Sequence, residues 1–280
     1  MNKMSQNILL NSLKQSFSLI WKNKSLFILL FILQIIFFVL FFYINFTYQT
    51  KIIEHANAIF DYLSQQKLDD ISVTENLLQQ KSILGDDPLM ISRNFNEIVK
   101  NFKLYLVYIF ILLIFFISLN WTITNKMVFK IHFKKLTKIF LKILIVSLFY
   151  LGLIFLFLFS IINISITELA ESSKLLTKYV PFLIFSIILS YFMFVSLALT
   201  NKAELNNIVQ KTLVIGIKKA HYVAAVYFIN IFLFAVSIFF FYYFIEKNLF
   251  ILLLSIVLMI FSFVFGRIFL INVVDRLEKR

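Results

Sequence analysis

The side chains that usually do chemistry are few in this chain and far apart. Histidine occurs three times. His55, His132 and His221 fall in separate segments, so no two of them set up a metal site or a proton relay. Cysteine is absent, which removes disulfides, thiolate ligands and thiol nucleophiles together. There is no H-E-x-x-H pair, no glycine loop to cradle a phosphate and no G-x-S-x-G elbow. Asp69, Asp70, Asp86 and Asp87 are the tempting acids, but they lack the spacing of a calcium loop. They read as solvated turn acids, with Asp87 capping a helix that starts at Pro88. What remains is a scatter of amides and hydroxyls inside apolar stretches: Gln34, Asn230, Ser147, Ser190, Ser237 and Ser255. In lipid such groups mostly hydrogen-bond between helices, and they form a path for a substrate only where they converge. The expectation is a protein with no catalytic, cofactor-binding or metal-ligating residues, hence not an enzyme.

The stretches that hold these polar groups decide the fold class. Apolar residues make up 61% of the chain and charged ones 15%, against the roughly 45–50% and 25% of a soluble domain. Only 4 glycines and 2 prolines occur, which disfavours turn-rich β architectures. Residues 25–50, 104–125, 143–167, 179–201, 220–245 and 248–266 contain no Asp, Glu, Lys or Arg. A bilayer core of about 30 Å needs roughly 20 apolar helical residues. Five windows exceed that, and the sixth reaches it if Arg267 snorkels to the interface. The prediction is an all-α polytopic membrane protein with spans near 25–46, 104–124, 143–163, 179–200, 222–245 and 249–270. The first apolar run is too long for a removable signal peptide.

Orientation follows from where Lys and Arg collect. Residues 1–24, 126–142, 202–219 and 267–280 carry 18 of them, and residues 51–103, 168–178 and 246–247 carry 9. The first set is predicted to be cytoplasmic, placing both termini on the inner side of a cell membrane. A net charge of +13 distributed this way fits an anionic lipid surface, not nucleic acid. Trp21, Tyr43, Trp121, Tyr179, Tyr222, Tyr242 and Tyr243 fall near span ends, as an interfacial aromatic belt would.

Three inner segments each precede an odd-numbered span and read as amphipathic interfacial helices. Leu9, Leu13, Phe17 and Ile20 share one face in the first; Phe129, Phe133, Leu136 and Phe140 in the second; Leu205, Ile208 or Val209, and Leu213 in the third. Thr124-Asn125-Lys126 aligns with Thr200-Asn201-Lys202, and Lys142 with Lys218, so an interfacial helix plus a membrane hairpin reads as a unit used three times. Residues 47–103 form an outer helical stalk. Ile52, Ile53, Ala56, Ile59 and Leu63 make one stripe, and Ile91, Phe95, Ile98 and Phe102 the other, with a turn around 68–84 between them. Ser186 with Ser190 and Ser262 with Gly266 are small-xxx-small pairs suited to close helix packing. Asn45-Phe-Thr47 and Asn163-Ile-Ser165 match the glycosylation pattern on the outer side.

The string Ser16-Phe17 … Trp21-Lys22-Asn23-Lys24-Ser25-Leu26-Phe27 is a helix that turns a lysine-rich corner into a span. It resembles a loose group of uncharacterised prokaryotic six-span proteins, among them the membrane domain attached to some glycerophosphodiester phosphodiesterases. The resemblance covers the general plan and carries over no catalytic residue. It implies a scaffold or accessory role in membrane organisation or lipid-associated processes. A permease subunit of an ABC-type exporter is the alternative, with Lys126, Lys130, Lys134, Lys135, Lys138 and Lys142 meeting a cytoplasmic ATPase, another membrane protein or the lipid surface. A sensor using the 51–103 stalk is the third.

Overall fold

The computed structural model describes residues 3–65, 89–162, 172–245 and 248–279. Within them the chain is helical almost throughout, as lipid requires of a backbone that must satisfy its own polar groups. The helices are α1 (Lys3–Lys22), α2 (Lys24–Gln65), α3 (Leu89–Phe129), α4 (Phe133–Ile162), α5 (Ser172–Leu199), α6 (Leu205–Leu213), α7 (Ala220–Phe244) and α8 (Leu249–Glu278). A π-helical turn, Val214–Lys218, joins α6 to α7. Six segments among the described residues are long and apolar enough to cross a bilayer, in α2, α3, α4, α5, α7 and α8. The chain is an all-α polytopic membrane protein.

Contacts divide the chain into two compact units. One comprises Met1–Phe38, Leu112–Ile154 and Leu183–Arg280; the other comprises Val39–Ile111 and Phe155–Phe182. The core of the first unit is the C-terminal half of α8. From Val264 to Val274 every residue except Arg267 is buried, so this stretch is enclosed all round, as a helix with apolar residues on every side is. Val264 and Ile268 pack with Leu30 of α2 and Met127 of α3, and Leu19, Ile20 and Phe27 close over them.

α1 docks on this helix through a face that its apolar stripe marks only in part. Ile8, Ser12 and Ser16 are the buried residues, whereas Phe17 is half exposed and Leu9 and Leu13 are partly so. Two serines one turn apart let the backbones approach, as small pairs do in membranes. Asn272 Nδ2 donates to Ser16 Oγ at 2.8 Å, and Arg276 Nη2 to Gln15 Oε1 at 2.8 Å. The serine face thus shares the contact with the C-terminal end of the apolar stripe, where Phe17 packs on Phe261 and Phe265 and Ile20 on the core, while Leu9 and Leu13 are only partly covered.

The second inner segment is not an independent interfacial helix. α3 runs on to Phe129, the chain breaks at Lys130 with φ of 52°, and α4 starts at Phe133 and continues into the apolar run. Its proposed face does not act as one, since Phe133 is 79% exposed while Phe129 and Phe140 are partly covered. The third segment does form a separate helix, α6, which buries Ile208 and Thr212.

In the second unit, α2 and α3 both continue as helices well beyond their charge-free stretches. His55 Nδ1 and Asn94 Oδ1 lie 2.9 Å apart, joining the two arms. Tyr48 packs on Tyr105 and Tyr108, and Phe110 on Phe155. Asp69, Asp70, Asp86, Asp87, the turn around 68–84 and the Asn163 motif lie outside the described residues.

Candidate functional site

Inside the first unit, residues from five helices surround a cavity of about 460 Å³. Its walls are mostly rings: Phe37 from α2, Phe116 from α3, Phe194 from α5, Phe234 from α7 and Phe263 from α8. Polar groups interrupt them: the side chains of Gln34, Asn120, Asn230 and Arg267 and the hydroxyls of Tyr227 and Ser262.

Arg267 holds the centre of this group. Its Nη1 donates to Gln34 Oε1 at 3.2 Å and its Nη2 to Asn120 Oδ1 at 3.4 Å. Both acceptors are buried: Gln34 is 6% exposed and Asn120 2%. Asn120 is itself oriented by its own helix, its Nδ2 donating to Phe116 O at 2.9 Å. The Nε of Arg267 and the Oδ1 of Asn230 are buried without a partner among the described residues. A guanidinium has five N–H donors, so two long bonds to neutral amides leave it neither saturated nor neutralised. No Asp or Glu lines the cavity among the described residues.

The acids closest along α8 are committed elsewhere. Asp275 pairs with Lys202 and, at 2.8 Å, with Lys279; Glu278 pairs with Lys211 at 2.6 Å and with Lys202 at 3.5 Å. Lys219 Nζ donates to the Leu277 carbonyl. This ion cluster ties the C-terminal end of α8 to the loop after α5, to α6 and to the start of α7. Arg267 stands about 12 Å of helix axis inside that cluster and about 27 Å from Leu249. Its charge therefore falls within the length of α8 that a bilayer of about 30 Å would cover.

Glycine makes part of this geometry possible. The amide of Asn230 lies over Gly266, with its Cγ and Nδ2 both 3.0 Å from where a Cβ would stand. Ser262, one turn earlier on α8, also lines the cavity. Gly266 thus meets a polar side chain across the α7–α8 contact, Ser262 bonds back to Met259 O of its own helix, and Ser186 lies partly buried on α5 and away from the cavity.

Of the intramembrane polar residues marked in the sequence, Gln34 and Asn230 converge here. The serines do not. Ser237 and Ser255 bond back to their own helices, at Leu233 O and Leu252 O. Two expectations need correction. Arg267 does not snorkel to the surface; it turns inward because two amides await it. Trp121 is no interfacial anchor either, being 2% exposed on the cavity wall and stacked on Phe194 with centroids 6.2 Å apart.

A sequence signal for Arg267 exists, since Ile268-Phe269-Leu270-Ile271 follow it. An arginine flanked by apolar residues on both sides is not at a boundary. Asn120 was equally visible, as an amide inside a charge-free window. The lysines of 126–142 are spread by the break between α3 and α4: Lys130, Lys134, Lys135 and Lys138 are exposed, whereas Lys142 Nζ donates to Ala203 O at 3.0 Å. His132 and His221 are exposed, the latter against Tyr222.

No family model matches this chain, and neither a curated protein nor a solved structure matches it.

Proposed function

We propose that this integral membrane protein is a non-enzymatic accessory in lipid-associated processes, and that it works by accommodating an amphiphile from the bilayer in the cavity around Arg267. The observation that carries this reading is a cavity walled by aromatic rings with one cationic group and three amides at its centre. Such a mix of apolar walls and few convergent polar groups is the usual make-up of a small-molecule site, and about 460 Å³ falls in the usual range. The orientation that goes with it has both termini and the ion cluster at the cytoplasmic face of a cell membrane, on the bias of basic residues.

The test is purification of the full chain in mild detergent, followed by extraction and mass spectrometry of the lipid that stays bound. Ile231 lines the cavity and is 62% exposed, so Ile231→Trp fills the space from its rim. Retained lipid that the filled variant loses supports the reading. Equal lipid in both proteins removes it.

One observation favours a second reading, the ABC-type permease. The corner between α3 and α4 presents Lys130, Lys134, Lys135 and Lys138 outward beside an exposed Phe133. A soluble ATPase recovered stoichiometrically with the tagged protein, and lost when these lysines become Gln, supports it. Recovery of the chain without an ATPase sinks it.

A further inference from the structure

We infer that Arg267 is the receptor for the acidic headgroup of an anionic lipid, which completes the coordination that the protein leaves open. The inference rests on the cavity reading above and names the chemistry of its occupant.

Three observations converge on it. The guanidinium is held in place by Gln34 and Asn120 at 3.2 and 3.4 Å, yet both are neutral and leave N–H groups unused. The carboxylates that could neutralise it from its own helix, Asp275 and Glu278, are bound by Lys202, Lys211 and Lys279. The rest of the lining is apolar or neutral, with Phe37, Phe116, Phe234 and Phe263 supplying surface for hydrocarbon. An isolated cation in such a setting calls for an anion, and a planar fork of donors suits the paired oxygens of a phosphate or carboxylate.

The occupant is a lipid rather than a free ion because apolar surface dominates the walls. A small inorganic anion would satisfy Arg267 and leave the phenylalanine rings facing empty space. A lipid satisfies both, with its headgroup oxygens on the guanidinium and the first part of a chain along the rings. The position also fits. Arg267 lies about 12 Å along α8 from the ion cluster, so a headgroup of the adjacent leaflet reaches it by moving inward by a modest distance. An acidic transmembrane segment of another protein would offer the same charge, but a helix of 10–12 Å diameter does not enter a cavity of about 460 Å³.

Native mass spectrometry of the full chain in neutral detergent tests this, with phosphatidic acid and phosphatidylcholine of matched chains titrated separately. The expected result is at least tenfold tighter retention of phosphatidic acid by the wild type. Arg267→Gln should abolish that preference, and the surface pair Lys134→Gln/Lys138→Gln should leave it intact. Because Arg267→Gln also removes a charge from the core, Ile231→Trp serves as a second variant, independent of any loss of fold in the first, that keeps the arginine and should also lose the anionic lipid. Displacement of phosphatidic acid by millimolar inorganic phosphate, with no chain-length dependence, would overturn the lipid assignment in favour of a free anion. Phosphatidic acid and phosphatidylcholine held equally, and both lost on Ile231→Trp, would overturn the headgroup inference while leaving the cavity reading standing. Lipid held equally by the wild type and Ile231→Trp would end both.

Discussion

A cation within the bilayer core carries a cost on insertion scales, at most about 2.5–3.5 kcal/mol and less toward the interface, and two hydrogen bonds to amide oxygens offset part of that cost. Gln34 and Asn120 are therefore expected to matter for stability as much as for binding. Replacing Gln34 by Leu removes an acceptor at 3.2 Å from the guanidinium and should lower stability by about 1–3 kcal/mol, read as a fall in the thermal midpoint in mild detergent. Ser237→Ala is the control, since that hydroxyl bonds to Leu233 O in its own helix; it should move the midpoint by under about 0.5 kcal/mol. The sequence shows Gln34, Asn120, Asn230 and Arg267 as polar residues in or beside apolar runs. It does not show that they meet, because they come from four helices and convergence depends on rotation about each axis. Rotation is set by packing, and α1 shows how composition can mislead: Ser12 and Ser16 are buried while Leu9 and Leu13 are only partly covered.

At the scale of elements, the turn between α6 and α7 carries the tightest packing constraint. A Cβ on Gly216 would come within 2.9 Å of the Phe192 ring, and the Gly216 carbonyl accepts from Tyr191 Oη at 2.7 Å. Gly216→Ala should therefore destabilise by about 1–3 kcal/mol through overpacking. Gly152, in the middle of α4, has nothing within 4 Å of its missing Cβ. Gly152→Ala should stabilise by about 0.5–1 kcal/mol, the helix-propensity gain; the two thermal midpoints should move in opposite directions. The ion cluster is the second constraint. Asp275→Asn breaks pairs to Lys202 and Lys279 and should cost about 1 kcal/mol. The cost should shrink as salt is raised from 0.05 to about 1 M, and a salt-independent loss would show that packing, not charge, is responsible. Helix existence was legible from charge-free runs and from the near absence of Gly and Pro. Helix breaks were less so, because Lys130 adopts a left-handed backbone without a glycine to announce it.

For the molecule as a whole, the number of spans follows from elementary arithmetic on a 30 Å core, which is why it could be read directly. Sidedness rests on the 18 to 9 split of basic residues and is open to a direct test. The chain has no cysteine, so single replacements report cleanly. Lys138→Cys and Asp61→Cys both alter exposed positions. In intact cells a membrane-impermeant maleimide should label the second and not the first, with both labelled after lysis. Labelling of the first in intact cells would invert the proposed topology.

The contact between α1 and α8 has a consequence in time. Ser16 and Asn272 are joined by one hydrogen bond across almost the full length of the chain, and Arg267 finds its acceptors on α2 and α3. During synthesis the early helices reach the membrane with a buried serine face and two buried amides still unmatched. They stay so until α8 emerges. A ribosome stalled before residue 249 would thus leave a bundle whose polar groups face lipid, a state that membrane quality control can recognise and degrade. Emergence of α8 is the step that closes the bundle.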